Sequence, residues 1–201
     1  MFSTSHPKDI SENLIEVIAK YPNICKYIHL PIQSGSANVL KRMNRKYTPE
    51  DYLFKIDLIK KHIPNCAIST DIIAGFCGES IEDHNQTLSI MRQVGYDYAF
   101  MFHYSERPNT LAAKKYSDDI PLKEKKRRLE EIITLQNELS YNSNLNDIEK
   151  EFEVLIEGES KRSKEKLFGR TSQNKVVIFD KDSNRIGDYV KVKITSCTSA
   201  T

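Results

Sequence analysis

The sequence has only four cysteines, and none stands close enough to another to form a metal-binding pair. They are Cys25, Cys66, Cys77 and Cys197 in a chain of 201 residues. Structural metal sites usually take ligands from Cys-x-x-Cys or similarly short spacings, which are absent here. Two of the four lie in or beside apolar runs, which favours buried free thiols over ligands or disulfides. The spacing therefore predicts that this chain forms no metal site.

Long apolar runs, a secretory leader and a strong net charge are lacking as well. No apolar run approaches the length that crosses a membrane, and residues 1–7 lack the basic start and apolar centre of a signal peptide. We therefore expect a cytoplasmic protein with no membrane partner. The 30 basic and 28 acidic residues nearly cancel, so a contact with nucleic acid would need a local cluster of cations.

The most distinctive stretch that is present begins at Cys66. Half of the residues of Cys66–Ile73 are β-branched, and Asp71 is the only charge there, as in a parallel strand covered on both faces. Gly75 and Gly78 permit a tight turn, and Ser80 begins a helix predicted over residues 81–94. Ligands of parallel α/β proteins lie beyond the carboxyl ends of the strands, so this turn is a candidate wall of a site. Two glycines also suit an ordinary turn.

Three similar strand–helix units are predicted around this one. The crossover rule makes all four strands parallel. Four such units form half of an eight-stranded barrel or a small open sheet. The first strand starts close to Met1 and would leave an open sheet edge, so we expect that upstream sequence is missing. The predicted strands cover residues 2–4, 27–32, 66–73 and 98–104, and the predicted helices cover 11–20, 37–43, 49–62, 81–94 and 121–141.

After residue 148 the pattern changes to short strands separated by polar turns. Such strands predict a small all-β barrel of the OB-like kind. The polar stretch Ser140–Asp147 is rich in turn-forming residues and predicts a linker. We therefore place an α/β domain at residues 1–147 and an all-β domain at residues 148–201. The predicted strands cover residues 152–156, 167–171, 175–179 and 189–195.

Polar residues follow each of the four predicted parallel strands. Because the carboxyl ends of parallel strands meet at one edge of a sheet, we expect their side chains to surround one site. Hydroxyls, an amide, a carboxylate and a guanidinium suit a polar ligand of the adenosine type. Each residue alone also suits a cap or a turn. The residues are Ser5, His6, Gln33, Ser34, Ser36, Asp71, Tyr104, Ser105 and Arg107.

Several motifs occur in the order in which one enzyme family carries them. They are His29-Leu-Pro-Ile-Gln-Ser-Gly-Ser36, Ser69-Thr-Asp-Ile-Ile-Ala-Gly-Phe-Cys-Gly-Glu79 and Ala99-Phe-Met-Phe-His-Tyr-Ser-Glu-Arg-Pro-Asn-Thr110. Together they resemble motifs of the radical SAM methylthiotransferases. Gly169-Arg-Thr-Ser-Gln-Asn174 extends the resemblance into a C-terminal TRAM domain. The match is most similar to the branch that methylthiolates C2 of N6-isopentenyladenosine near the anticodon of tRNA.

The resemblance implies a fold, cofactors and site residues. The α/β domain would be the C-terminal part of a TIM-like radical SAM barrel, in an enzyme that uses S-adenosylmethionine and two 4Fe-4S clusters. In such enzymes the cluster cysteines lie upstream, so this chain would ligate neither cluster and would be inactive alone. Gln33, Ser34, Asp71 and Gly75 match strand-end positions that line the S-adenosylmethionine pocket. No catalytic residue is implied.

Three positions depart from the family pattern. Cys77 stands where proline is usual, Asn109 where glycine is usual, and Met1 where an arginine commonly precedes the phenylalanine. Asparagine tolerates a positive φ, so we expect the turn at Asn109 to survive. The cysteine would affect only the stiffness of its turn.

The second domain contains the local cluster of cations. Residues 160–175 hold six cations and a single acid, and small β-barrels commonly bind nucleic acid. We therefore predict tRNA binding through Lys161, Arg162, Arg170 and Lys175, although a solvated charged hairpin has the same composition. The alternatives for the chain are a non-enzymatic RNA-binding fragment, or a methylthiotransferase acting on another modified adenosine or on a ribosomal protein.

Overall fold

Four parallel strands form the sheet of the first half of the chain. The computed structural model describes residues 2–4 and 6–201, so the predicted site residue Ser5 lies outside the described residues. The strands lie side by side in chain order, and every neighbouring pair is parallel, as predicted. They are β1 (Phe2–Ser3), β2 (Tyr27–His29), β3 (Ala67–Ala74) and β4 (Tyr98–His103).

The helices begin where the sequence provides caps. Thr48 and Ser80 each form a capping box, with Asp51 and Asp83 respectively, which is why the third and fourth helices have the predicted bounds. A short helix capped by Thr110 lies between the fourth strand and the last helix, where no helix was predicted. Asn109, just before it, has a φ of 67°, as its turn requires. The helices are α1 (Glu12–Lys20), α2 (Ala37–Arg42), α3 (Pro49–His62), α4 (Ile81–Val94), α5 (Leu111–Lys115) and α6 (Leu122–Leu145).

The predicted linker Ser140–Asp147 is mostly helical, which corrects the sequence interpretation. α6 continues to Leu145 because tertiary hydrogen bonds hold its last turns. The Ser140 hydroxyl donates to the carbonyl of Asp97 over 2.8 Å, and the Ser143 hydroxyl donates to the Asp97 carboxylate over 2.5 Å. Serines that would favour a turn in isolation thus stabilise the helix end.

The helices pack on one face of the parallel sheet and leave the other open. The main core joins apolar side chains of β2 and β3 to α1, α3, α4 and α6. Within this core the Tyr52 hydroxyl donates to the Leu30 carbonyl over 2.9 Å. The Tyr96 hydroxyl in turn donates to the hydroxyl oxygen of Tyr52, also over 2.9 Å. On the open face, Tyr98, Phe100 and Phe102 of β4 are 44–55% exposed.

The last part of the chain forms an antiparallel sheet, and its four strands confirm the predicted ones to within a few residues. They are β5 (Glu151–Glu159), β6 (Lys166–Arg170), β7 (Val176–Asp180) and β8 (Tyr189–Lys193), and they lie in the order β7-β6-β5-β8. A register shift between Ile156 and Gly158 bends β5. Gly169 lets β6 approach closely, since an added Cβ would lie 2.3 Å from the carbonyl oxygen of Leu155. None of the described helices combines the length and apolar character needed to span a membrane.

Candidate functional site

A cavity of about 580 Å³ lies at the carboxyl ends of the parallel strands. Gln33, Phe76 and Tyr104 follow β2, β3 and β4 and meet in its wall. Residues of α2, α5 and the segments after them complete the lining. The exits of three of the four parallel strands therefore contribute to one cavity, and of the predicted exit residues Gln33 and Tyr104 line it.

The basic lining of this cavity was missed by the sequence analysis. Arg42 ends α2, and its guanidinium stacks on Tyr116, 4.7 Å from the ring centroid. Lys41 and Arg42 lie at a helix end, where positive charge is common because it favours the negative end of the helix dipole, so the sequence carries no distinctive signal there. The five basic residues that line the cavity are Lys41, Arg42, Arg45, Lys114 and Lys115.

Aromatic rings form the floor of the same cavity. Phe76 packs edge-on against Tyr104 with 4.8 Å between ring centroids, and Tyr116 lies beyond Phe76. Tyr104 is 9% exposed, and its hydroxyl has no hydrogen-bond partner within the part of the chain that the structure describes. Burial, with the neighbouring Cys77 thiol, raises the pKa of Tyr104 to about 12. The phenol is therefore neutral at physiological pH.

Of the four predicted cofactor residues, Gln33 lines the cavity directly. Its φ of 71° is a left-handed conformation that non-glycine residues rarely adopt. Backbone hydrogen bonds hold that conformation, because its N–H donates to the Asp71 carbonyl over 2.8 Å and its carbonyl accepts from Ile73 over 2.9 Å. Backbone strain of this kind is typical of ligand-binding positions.

Ser34 and Gly75 are engaged by the fold itself. The Ser34 side chain is fully buried, and its hydroxyl accepts from the N–H of Ser36 over 3.2 Å. Gly75 has a φ of 71°, and a Cβ added there would lie 2.5 Å from Cγ of Lys125. The structure therefore places both residues behind the site, where they shape its backbone.

Asp71 lies on the open face of the sheet within a short polar chain. Its carboxylate is 3.4 Å from Nε2 of His29, whose Nδ1 is 2.8 Å from the Ser69 hydroxyl. That hydroxyl is 2.6 Å from the phenol oxygen of Tyr27. The ring of His29 also packs edge-on against Phe100, at 5.7 Å. The sequence analysis singled out only Asp71, although alternation along the strands places all these residues on one face.

Three other predicted exit residues have structural roles. Nδ1 of His6 accepts from the N–H of Lys8 over 3.2 Å, and burial, with Arg45 nearby, lowers the pKa of His6. The Ser36 hydroxyl caps α2 and donates to the Asp83 carboxylate. The Arg107 carbonyl accepts from the Thr110 hydroxyl over 2.9 Å in the turn before α5. Caps and turns account for these residues.

The four predicted RNA-binding cations are not equivalent. Lys161 and Arg162 are exposed in the turn after β5. Nε of Arg170 lies 3.0 Å from the Glu157 carboxylate. Nζ of Lys175 lies 2.7 Å from the Asp147 carboxylate, and it also donates to the Ser143 hydroxyl over 2.8 Å. Lys175 thus joins the second sheet to α6.

Two cations at the start of α6, Lys125 and Arg128, are buried. Nζ of Lys125 donates to the Asp118 carboxylate over 2.5 Å. Nη1 of Arg128 donates to the Glu79 carboxylate over 2.8 Å, and that carboxylate also accepts from the N–H of Gly75 over 2.9 Å. The turn predicted as a site wall is therefore held from behind by α6.

The cysteines lie in separate environments. Cys77 is buried beside Phe76 and Tyr104, whereas Cys66 packs against the main core. Cys25 and Cys197 are half-buried. One group of possible metal ligands occurs among the described residues, Glu12, Glu16 and His62, and its carboxylates are exposed. His62 already lies 3.1 Å from Glu12 there, which links α1 to α3.

Comparisons with known proteins agree with this architecture. Residues 1–91 match the radical SAM superfamily, and residues 148–201 match the TRAM domain. Coproporphyrinogen III oxidase (HemN) from Escherichia coli, a radical SAM enzyme, shares the fold with a TM-score of 0.57 at 17% identity. That likeness covers 69% of this chain and 32% of the oxidase. The expected fold class, a partial radical SAM barrel followed by a small β domain, is confirmed.

Two curated relatives match the whole chain. Both are named tRNA-2-methylthio-N(6)-dimethylallyladenosine synthase; the one from Parabacteroides distasonis is 61% identical over 200 residues and the one from Phocaeicola vulgatus 58%. The matches cover 100% of this chain but 44% of each relative, so the chain spans less than half the length of these proteins. Residues 1–91 are thus similar to the radical SAM superfamily and residues 148–201 to the TRAM domain, as the motifs of the chain predicted.

Proposed function

We propose that the chain is part of a radical SAM methylthiotransferase that modifies C2 of N6-isopentenyladenosine in tRNA, near the anticodon. The observation that carries this proposal is the identity of 58–61% over 200 residues to proteins named as synthases of that modified base, whose isopentenyl group is also called dimethylallyl. The TRAM match supports tRNA as the partner. A cytoplasmic location follows, since tRNA is modified there.

The proposed cofactors are S-adenosylmethionine and two 4Fe-4S clusters in the complete enzyme. When cleaved at a reduced cluster, S-adenosylmethionine supplies a deoxyadenosyl radical. Gln33 lines the cavity, and Asp71 lies on the open sheet face. They are therefore the predicted residues best placed to contact S-adenosylmethionine, while Ser34 and Gly75 shape the backbone behind them. The separate environments of the four cysteines support ligation of both clusters by another part of the enzyme.

The chain alone is accordingly proposed to be inactive. Anaerobic reconstitution with iron and sulfide, followed by iron counting and a 5′-deoxyadenosine assay, tests this. We expect substoichiometric iron and no deoxyadenosine. One 4Fe-4S cluster per chain together with reductive cleavage of S-adenosylmethionine would contradict the proposal.

The function itself is tested in the organism that encodes the chain. The gene is deleted, and nucleosides from total tRNA are analysed by mass spectrometry. We expect the 2-methylthio derivative of N6-isopentenyladenosine to disappear and the unmethylthiolated nucleoside to accumulate. Re-expression of the gene should restore the methylthio derivative.

Two alternatives give different results in that experiment. A non-enzymatic RNA-binding protein would leave the nucleoside profile unchanged. If the chain is a methylthiotransferase with another substrate, deletion of its gene leaves this nucleoside unchanged, and the methylthio group is missing instead from a different adenosine or from a ribosomal protein. Proteomic analysis of ribosomes from the same strains shows whether a ribosomal protein is the substrate.

A further inference from the structure

The loop that leaves β2 holds Gln33 in a backbone conformation that costs free energy. Its φ of 71° lies in the left-handed region, which glycine adopts readily and glutamine rarely does. A glycine would make the same turn without strain, so a glutamine at this position points to a role for its side chain. Gln33 lines the cavity at the strand exits, where such a side chain can meet a ligand.

Tyr47 holds the peptide group directly before Gln33. Its hydroxyl donates over 2.8 Å to the carbonyl of Ile32, and the N–H of the same peptide group donates over 2.8 Å to the carbonyl of Asp71. Tyr47 is 8% exposed, and burial raises the pKa of its hydroxyl to about 12, so it remains a neutral donor at physiological pH. Both polar groups of this peptide are therefore held, which fixes one side of the φ torsion of Gln33.

The residues just after Gln33 are held by α4. The hydroxyl oxygen of Thr87 accepts from the N–H of Gly35 over 2.9 Å. Gly35 packs so closely there that an added Cβ would lie 2.6 Å from the carbonyl oxygen of Gln86. The loop is thus attached before Gln33 by Tyr47 and after it by Thr87, so it resists the relaxation that would relieve the strain.

Tyr47 differs from a tyrosine that only satisfies a carbonyl of the core. Tyr52 is of that kind, since its hydroxyl donates to the carbonyl of Leu30 within the main core. The carbonyl that Tyr47 bonds belongs to the peptide next to a strained residue in a cavity wall. We infer that Tyr47 is a positioning residue, which acts through Gln33 to hold the side-chain amide of Gln33 against S-adenosylmethionine. The inference rests on the proposed function, which assigns Gln33 to this cofactor.

A double-mutant cycle tests whether Tyr47 acts through Gln33. Tyr47→Phe and Gln33→Ala are made singly and together in the complete enzyme, and binding of radiolabelled S-adenosylmethionine is measured by equilibrium dialysis. Tyr96→Phe is the matched control, because it also removes the hydroxyl of a buried tyrosine. That hydroxyl donates to Tyr52 in the main core and has no contact with the loop of Gln33.

We expect Tyr47→Phe to weaken binding of S-adenosylmethionine by about three- to tenfold, since one hydrogen bond is worth roughly that factor. Gln33→Ala should weaken it at least as much. In the double variant, Tyr47→Phe should add almost no further loss, because its effect passes through the missing side chain. Tyr96→Phe should leave binding unchanged. Additive losses, or normal binding in Tyr47→Phe, would overturn the inference.

Urea unfolding of the 201-residue chain tests the strain without any ligand. We expect Gln33→Gly to raise the urea midpoint, because glycine adopts a positive φ without strain, although the same variant loses S-adenosylmethionine binding in the complete enzyme. Tyr47→Phe and Tyr96→Phe should both lower the midpoint, and by similar amounts. A lower midpoint in Gln33→Gly would show that no strain is held at this residue, which also overturns the inference.

A second pair of variants repeats the binding test from α4. Thr87→Val keeps the shape of the side chain but cannot accept from the N–H of Gly35, so it should weaken binding as Tyr47→Phe does. Thr87→Ser keeps the acceptor and should bind normally. If every variant binds S-adenosylmethionine as the unchanged enzyme does, the inference fails and the proposed function stands. If the unchanged enzyme binds no S-adenosylmethionine, the proposed cofactor fails, and the inference fails with it.

Discussion

At the scale of single residues, burial decides which side chains are chemically available. Cys66 and Cys77 illustrate this, because both are held in apolar surroundings that disfavour a thiolate. Burial raises the pKa of Cys66 to about 12 and also raises that of Cys77. Cys77 stands where the resembling family usually has proline, and it fills space beside Phe76 and Tyr104. Its thiol contributes to packing there.

Alkylation measures this difference. In the folded chain at pH 8, we expect iodoacetamide to modify Cys25 and Cys197 first and to leave Cys66 and Cys77 largely unmodified, because thiolate is the reactive form. Peptide mass spectrometry reads each site. In guanidinium chloride all four should react at similar rates. Early modification of Cys77 in the folded chain would contradict the burial described here.

At the scale of secondary-structure elements, Asp83 links two segments that are distant in sequence. Its carboxylate accepts from the Ser36 hydroxyl and, over 2.9 Å, from the N–H of Ser80. Burial opposes ionisation there, but these hydrogen bonds outweigh it and lower the pKa of Asp83. The ionised carboxylate thereby fixes both the start of α4 and the loop that carries Gln33.

Asp83→Asn should therefore destabilise the fold in a pH-dependent way. We expect the free energy of unfolding to fall by about 1–3 kcal/mol at pH 7. The depressed pKa stabilises the fold above the unfolded value near 3.9, and this contribution disappears as pH falls through the lower folded value. The difference between the two proteins should thus shrink below about pH 4.

Urea unfolding at several pH values provides the measurement. Asp57→Asn is the matched control, because Asp57 is exposed on α3. Equal losses from both substitutions, or a difference that persists at low pH, would show that the carboxylate of Asp83 has no special role.

Some helix bounds could be predicted from local sequence signals and others could not. Local signals such as the caps at Thr48 and Ser80 placed α3 and α4 correctly. The end of α6 depends on hydrogen bonds to Asp97, which no local pattern contains. At the candidate site, the convergence of strand exits led to the prediction of Gln33, which lines the cavity. Arg42 was missed because the packing of α2 against the turn at Gly78 is a tertiary contact.

At the scale of the whole molecule, one lysine ties the two domains together. Nζ of Lys175 contacts Ser143 and Asp147 on α6 or just after it, and lies 3.6 Å from the Asp97 carboxylate. Nδ2 of Asn144 adds a hydrogen bond of 2.9 Å to the carbonyl of Thr198. The composition of the cationic segment predicted an RNA contact for Lys175, but the structure shows it engaged between domains.

Lys175→Met should loosen this junction while leaving RNA affinity largely intact. Removing the cation leaves two carboxylates facing each other, so we expect a loss of about 1–3 kcal/mol in stability. Hydrogen exchange should accelerate at the end of α6. Lys191→Met, at an exposed position of β8, is the control and should change neither property. A large loss of affinity for an anticodon-loop hairpin RNA with normal exchange would instead indicate a direct RNA contact.

The length of α6 has a consequence for any RNA that engages both domains. The helix has 24 residues, which at about 1.5 Å per residue makes it roughly 36 Å long. Its first turns hold the Gly75–Glu79 turn through Arg128, and its last turns hold the TRAM domain through Lys175. The helix thus fixes the distance between the Gly75–Glu79 turn and the TRAM domain. If the chain binds RNA through both regions, a continuous helix rather than a flexible linker sets the distance between the two contacts.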